Sequence, residues 1–226
     1  MRRRTEAKRN AILDVAREVF RKKGYQGTSM SEITEKVGGS KATIYGYFKS
    51  KKLLFEAVMN SMSVENASQF ASASGGTVSV IPEENASRIA QVVDEMLASS
   101  DDIRTTLYDF SRRFISMICQ PEFLESYRLI VESSPKTEMG KNFYEKDRGY
   151  VIGSLQQCFE AYMAKGELCK EDAGVAAQIF LSLIQGLIFE HHLFGFRRMS
   201  RSEIQKRTRQ SVDAFLKIYG QGKENG

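Results

Sequence analysis

Four consecutive side chains, Ser40, Lys41, Ala42 and Thr43, follow the glycine pair Gly38-Gly39 and offer a hydroxyl, an ammonium, a methyl and a second hydroxyl carrying its own methyl. Set on the first turn of a helix, they have the right chemistry to read a nucleic acid. Lys41 can donate to a phosphate or to guanine O6 and N7, and Ala42 and the Thr43 methyl can touch a thymine methyl. The Thr43 hydroxyl can bond to a base or a phosphate. Tyr45 places a phenol near the same surface. Thr28, Ser29 and Lys51 stand at the starts of neighbouring helices, where backbone amides and the helix dipole favour an anion.

These groups need short helices at fixed spacing to present them, and the sequence supplies those. Ile12, Ala16, Val19 and Phe20 recur at helical intervals and predict a helix from Glu6 to Lys23, ended by Gly24. Ser29 with Glu32 three residues on resembles a capping box for a helix over Met30–Val37. Gly38-Gly39 breaks it, Ser40 caps a third helix over Lys41–Phe48, and Ser50 caps a fourth running from Lys51 to near Ala71. Two short helices joined by a glycine turn inside a basic three-helix unit describe a helix-turn-helix, whose second helix lies in the major groove. Phe48 is read as core of this unit.

The charge agrees with that placement. The chain carries a net +5, yet residues 1–60 hold 14 Lys and Arg against 6 Asp and Glu, while the remaining residues are mildly acidic. A basic module of this density suits a polyanion, and it also suits a solvated face that only aids solubility. Arg2-Arg3-Arg4 with Lys8-Arg9 reads as an arm over phosphates or as a charged terminus.

Beyond a Ser- and Gly-rich stretch at Ala71–Pro82, read as a loop, the pattern remains helical: Asn85–Ala98, Ile103–Cys119, Pro121–Glu132, a long helix Lys136–Lys165, Glu171–Leu193, and a last helix from Ser200 or Ser202 to Tyr219, followed by a frayed tail. The fold class is therefore all-α, with an N-terminal three-helix helix-turn-helix domain over residues 5–64 (motif 29–48) and a C-terminal helical bundle over 65–220.

Several function classes are disfavoured. There is no G-x-S-x-G, GxxxxGK[ST] or HExxH, so an enzyme is not expected. Glu190-His191-His192 lacks the i, i+4 spacing that chelates a metal, and no cofactor is expected. Cys119, Cys158 and Cys169 have no CxxC spacing and suit a reducing, cytoplasmic compartment. No apolar leader follows Met1. The most apolar stretch, Ala173–Phe196, is interrupted by Gln178, Gln185, Glu190, His191 and His192, so no membrane span is expected.

The run Gly24-Tyr25-Gln26-Gly27-Thr28-Ser29, then Ile33, then Gly39-Ser40-Lys41-Ala42-Thr43-Ile44-Tyr45-Gly46-Tyr47-Phe48, then Lys51-Lys52-Leu53-Leu54, resembles the DNA-binding domain of TetR-type transcriptional regulators, from about Thr5 to Val64. Gly39 and Gly46 depart from the residues usual there. The stretch from Phe114 to Phe196 is similar to the C-terminal domain of the AefR-like or AcrR-like subgroup, through Arg128-Leu129-Ile130-Val131-Glu132, Phe143-Tyr144, Gly166-Glu167-Leu168 and Ala176–Gly186.

The resemblance implies an all-helical homodimer on a palindromic double-stranded DNA operator, most often a repressor, with an effector pocket in the C-terminal domain. It supports Tyr47, whose phenol hydroxyl is read with that of Tyr45 as lying near the DNA backbone, as a DNA contact. Aromatic and soft side chains of the middle helices, Met96, Phe110, Phe114, Met117, Phe123, Tyr127, Tyr150, Cys158 and Phe180, then become candidates to line a pocket for a small hydrophobic or aromatic effector. Leu155, Phe159, Tyr162, Ile179, Leu183 and Leu187 recur at three- and four-residue steps and become candidates for a dimer interface. The alternative is a DNA-binding adaptor whose C-terminal domain holds a protein partner and no small ligand.

Overall fold

The computed structural model describes residues 5–73, 93–98, 102–186, 188–196 and 198–221, with side chains undescribed at 63–73. The arginine arm at Arg2–Arg4, most of the expected loop and following helix between 74 and 92, Leu187, and the tail from 222 lie outside the described residues. The described residues are helical apart from loops and one isolated antiparallel bridge between Leu168 and Gly220. Among the described residues no helix is long and apolar enough to cross a membrane. The chain divides into two compact units: the first runs to Ser68 and adds Glu125–Phe143, and the second comprises Gln69–Leu124 and Tyr144–Gly226. The expected boundary near residue 64 thus meets a division that also draws a later segment into the first unit.

In the first unit, helix α1 (Glu6–Gly27) starts at Thr5, whose side chain accepts from the Lys8 amide, and contains a non-helical break at Gly24. Gly24 has φ +69°, a left-handed conformation that costs glycine little. Helix α2 (Met30–Val37) is capped by Ser29 and closed by Gly38 at φ 67°. Helix α3 (Lys41–Tyr47) is capped by Ser40, and helix α4 (Lys51–Ala73) follows. One apolar stripe from each helix makes the core: Ile12, Ala16, Val19 and Phe20 of α1 meet Ile33, Ile44, Leu54, Phe55 and Val58. Phe20, Tyr25 and Phe55 form its aromatic centre, with Phe20 edge-on to Phe55 at 4.9 Å. Phe48 is buried in the same core, with the Arg9 guanidinium 5.7 Å over its ring.

In the second unit, helix α5 (Ile103–Ile118) is capped by Asp102, whose carboxyl accepts from the Thr105 amide and is held below its ordinary range by that bond. Helix α6 (Pro121–Ser133) begins in the second unit and ends in the first. The long helix expected over Lys136–Lys165 is interrupted. A 3-10 turn at Ser134–Lys136 carries Pro135, Thr137 is extended at φ −140°, and a one-turn helix α7 (Met139–Asn142) leads into a π-helical turn, Phe143–Arg148. Only then does α8 (Gly149–Ala164) run regularly. The expected helix Glu171–Leu193 is likewise split into α9 (Ala173–Gly186) and α10 (Phe189–Leu193), because the backbone leaves the helical region at Ile188. Helix α11 (Arg201–Tyr219) opens on a full capping box between Ser200 and Glu203.

Helix α9 packs against α8 and α11, and α11 also packs on α5. Four rings fill the centre: Phe180 lies 5.0 Å from Phe215, 5.8 Å from Phe159 and 6.2 Å from Phe110. His192 is buried, its Nδ1 at 3.0 Å from the Ile188 carbonyl and its Nε2 accepting from the Met199 amide at 3.4 Å. Donation from Nδ1 and acceptance at Nε2 is the tautomer these partners require, so His192 ties the α9–α10 corner to the approach to α11.

Asp147, in the π turn, is pushed up to about 6 by burial. A carboxylate with a raised folded-state pKa costs stability once it is charged in the folded protein. Its penalty is absent at low pH, grows as pH rises from 3.8 to about 6, and stays above that. Asp147→Asn is therefore expected to raise Tm at pH 7.5 and to leave it unchanged at pH 3.5, as read by thermal scans at both values. A lower Tm at pH 7.5 would count against burial as the dominant influence.

Candidate nucleic-acid interface

Ile44 is the buried residue that anchors α3; Lys41, Ala42 and Tyr45 are exposed, Tyr45 at 42%. A seven-residue helix whose apolar contacts are Ile44 and half-buried Tyr47 leaves the face of Lys41, Ala42 and Tyr45 to solvent, so these side chains share one open surface. Ser40 accepts from the Thr43 amide at 3.1 Å, and its Oγ lies 2.9 Å from Thr43 Oγ1. That cap fixes where Lys41 and Ala42 start. A Cβ at Gly39 or Gly46 would meet nothing within 4 Å, so these positions are open rather than packed.

Ser29 is also exposed, and its hydroxyl accepts from the Glu32 amide at 3.2 Å. Glu32 turns to Lys23 Nζ at 2.9 Å and Lys36 Nζ at 3.7 Å. The Lys23 hydrogen bond draws its carboxyl below the ordinary range.

Tyr47 is half-buried, and its hydroxyl oxygen accepts from the Thr5 amide at 3.0 Å. It therefore ties the end of α3 to the start of α1 while keeping its own O–H proton to donate.

Two of the expected contacts are engaged within the chain. Thr28 is only 3% exposed, and its hydroxyl donates to the Gly24 carbonyl at 2.7 Å, closing the turn before α2. Lys51 donates to the carbonyls of Tyr25 at 2.8 Å and Thr28 at 2.9 Å, with its ammonium 4.5 Å over the Tyr25 ring. Both residues hold the turn from inside. A cation bonded to two backbone carbonyls gains charge-assisted hydrogen bonds, and the ammonium has a third N–H beyond these two.

The expected pocket residues do not form one set. Tyr127 belongs to the first unit, edge-on to Phe143 at 5.5 Å. Tyr150 is exposed. Met96, Phe110, Phe114 and Phe180 are buried in the second unit, Phe110 stacked on Phe114 at 5.3 Å. Met117, Phe123 and Cys158 are half-buried, with Phe123 edge-on to Phe189 at 6.3 Å. Burial pushes the Cys158 thiol up to about 11 and Cys119 to about 12, so both stay neutral. Sequence reasoning passed over Ser111 and Thr208, two fully buried residues whose hydroxyls have no hydrogen-bond partner among the described residues. A hydroxyl inside an apolar run, as in Phe110-Ser111, is the available signal for such a position.

Of the expected dimer contacts, three lie in the chain's own core. Leu155, Phe159 and Tyr162 are buried within a single chain: Phe159 packs on Phe180 and Phe215, and the Tyr162 hydroxyl lies 3.0 Å from Thr106 Oγ1. Core side chains of one subunit cannot also cover a second. Ile179 and Leu183 are half-exposed on α9, in line with exposed Val175.

A family model described as "AefR-like transcriptional repressor, C-terminal domain" matches residues 105–221, and one described as "Bacterial regulatory proteins, tetR family" matches residues 12–58. The HTH-type transcriptional regulator AcrR of Shigella flexneri is 22% identical over 204 residues, spanning 87% of this chain and 85% of that protein. A crystal structure described as a TetR-family regulator from Mesorhizobium loti MAFF303099 is 26% identical, with a TM-score of 0.69 over 97% of this chain and 100% of that one. A structure described as the flavonoid-responsive regulator FrrA shares the fold at 24% identity and a TM-score of 0.68, over 96% of this chain and 100% of its own.

Proposed function

The chain belongs to the tetR family of bacterial regulatory proteins, with a C-terminal domain of the AefR-like repressor type, and from that premise we propose that it binds a palindromic operator as a homodimer and leaves it when a small hydrophobic effector binds. It is a transcriptional regulator and not an enzyme. The observation that carries the DNA reading is the open surface of α3, with Lys41, Ala42 and Tyr45 exposed beside the buried anchor Ile44. Two such helices, one per subunit, suit successive major grooves about 34 Å apart.

The half-exposed stripe Val175, Ile179 and Leu183 supports a second copy docking on α9. The effector reading rests on the aromatic interior around Phe110, Phe114 and Phe180 and on the two partnerless hydroxyls of Ser111 and Thr208. A buried hydroxyl without a partner costs about 1–3 kcal/mol, and a planar ligand with one polar group would recover it. Effector release requires that the ligand bind the DNA-incompetent conformer more tightly, not merely tightly.

Lys41→Ala is expected to weaken binding to a duplex selected by the wild-type protein from a random-sequence pool, by about tenfold, and to leave the dimer intact by sedimentation. An unchanged binding isotherm would refute the assignment of α3. Flavonoids, the class named for one fold neighbour, and other planar phenols are the first probes for DNA release. Release by no compound of this class, with release by polar metabolites, would overturn the effector reading.

A further inference from the structure

The turn between α1 and α2 is held by two opposite charges. Glu132, near the end of α6, accepts from the Tyr25 amide at 2.7 Å through Oε2 and from the Gln26 amide at 3.2 Å through Oε1. Lys51 donates to the carbonyls of Tyr25 and Thr28 from the other end. The peptide dipoles of the turn therefore run between an anion at their N–H side and a cation at their C=O side. Gly24 makes the seat possible: its positive φ turns the two following amides toward one point, and a Cβ there would lie 3.0 Å from the Glu132 carboxyl. Successive amides after such a residue form a concave anion-binding nest, and here the chain fills it with its own carboxylate. Arg21 and Glu125, at 3.5 Å, add a second link between α1 and the same part of α6.

We infer that Glu132 is a positioning residue for DNA binding: its carboxylate, seated on the Tyr25 and Gln26 amides, sets the turn from which α2 and α3 are presented. The inference rests on the DNA-binding reading above and extends it to a residue within the stretch that matches the C-terminal repressor domain. Glu132 acts through the turn and touches no DNA. Ser29, which caps α2, lies three residues beyond Gln26, so the geometry of this turn fixes where α2 begins. The segment Glu125–Phe143 is thereby a working part of the DNA-binding unit.

Charge alone and positioning demand opposite results. Removing an acidic residue makes the protein more positive, and by electrostatics alone it tightens binding to any DNA. Loss of the clamp instead weakens selective binding, because only a fraction of molecules then hold the competent turn. The test uses full-length wild type, Glu132→Gln and Glu132→Ala on a duplex selected by the wild type and on an unrelated duplex. Amide hydrogen exchange over Tyr25–Gln26, circular dichroism and sedimentation are run on the same samples.

We expect selective affinity to fall in the order wild type, Gln, Ala, with Ala weaker by about tenfold or more, binding to the unrelated duplex unchanged or tighter, and exchange at Tyr25 and Gln26 faster. Gln keeps one acceptor oxygen and turns an N–H₂ toward a second donor, hence its middle place; it carries the test if Ala does not fold. Selective affinity in both variants equal to or above wild type would overturn the inference alone. Absence of any selectivity in the wild type would overturn the functional reading and this inference with it.

Discussion

Phe180→Ala is expected to destabilise the second unit by about 3–5 kcal/mol. Phe180 is fully buried and touches three other rings, those of Phe110, Phe159 and Phe215. Its removal loses the transfer free energy of a whole ring, and also the ring-to-ring contacts worth about 0.5–1.5 kcal/mol per pair beyond area burial. The gap cannot close easily, because its walls come from α5, α8 and α11, each fixed by other contacts. With two compact units in the chain, unfolding need not be a single transition. The measurement is a calorimetric scan in which the transition of the second unit moves down in temperature; a shift worth less than about 1 kcal/mol would show that these rings do not hold that unit together. The same variant bears on the effector reading, since Phe180 is both a core residue and one wall of the proposed ligand space.

Lys51→Met separates the clamp from a phosphate contact. Methionine keeps the length and apolar stem of lysine but leaves the Tyr25 and Thr28 carbonyls without their donor. Hydrogen bonds from a charged group contribute about 1.5–3 kcal/mol each, and a cation over an aromatic face about 0.5–2 kcal/mol. We expect the first unit to lose about 2–3 kcal/mol, with the slope of log affinity against log salt changed by less than one contact. A phosphate contact would instead lower that slope by about 0.9 and leave thermal stability nearly untouched. Unchanged Tm with a reduced slope would restore Lys51 to the DNA-facing set.

How much of this was legible follows from the range of the interactions. The helix-turn-helix is written locally: Ser29 and Ser40 cap helices that begin one residue later, Gly38 closes α2, and Ile12, Ala16, Val19, Phe20 and Ile33 repeat at helical spacing. The exposed face of α3 could be read for the same reason. The roles of Thr28 and Lys51 could not, because the carbonyls they serve converge only when the turn folds back on α4. Glu132 is more than 100 residues from the amides it holds, and a single sequence carries no sign of that pairing.

Periodicity also failed where helices are apolar around most of their circumference. On α8 and α9 it marks Leu155, Phe159 and Ile179 alike, but does not say which side meets the chain's own core. Pro135 marks the start of Lys136–Lys165, and nothing in the sequence marks the break within it. The extended Thr137 and the π turn beyond it depend on packing, with Gly140 close against Ser134.

The central claim is that α3 reads a DNA sequence in a dimer. The direct measurement is the stoichiometry and selectivity of wild type and Lys41→Ala on the duplex upstream of the protein's own gene, with an unrelated duplex as control and salt varied. We expect selective binding of two protomers or a multiple of two per site, about tenfold weaker in Lys41→Ala, with a footprint of paired half-sites about one helical turn apart. Equal affinity for both duplexes at every salt concentration, repeated with any duplex recovered by random-sequence selection and insensitive to Lys41→Ala, would contradict it.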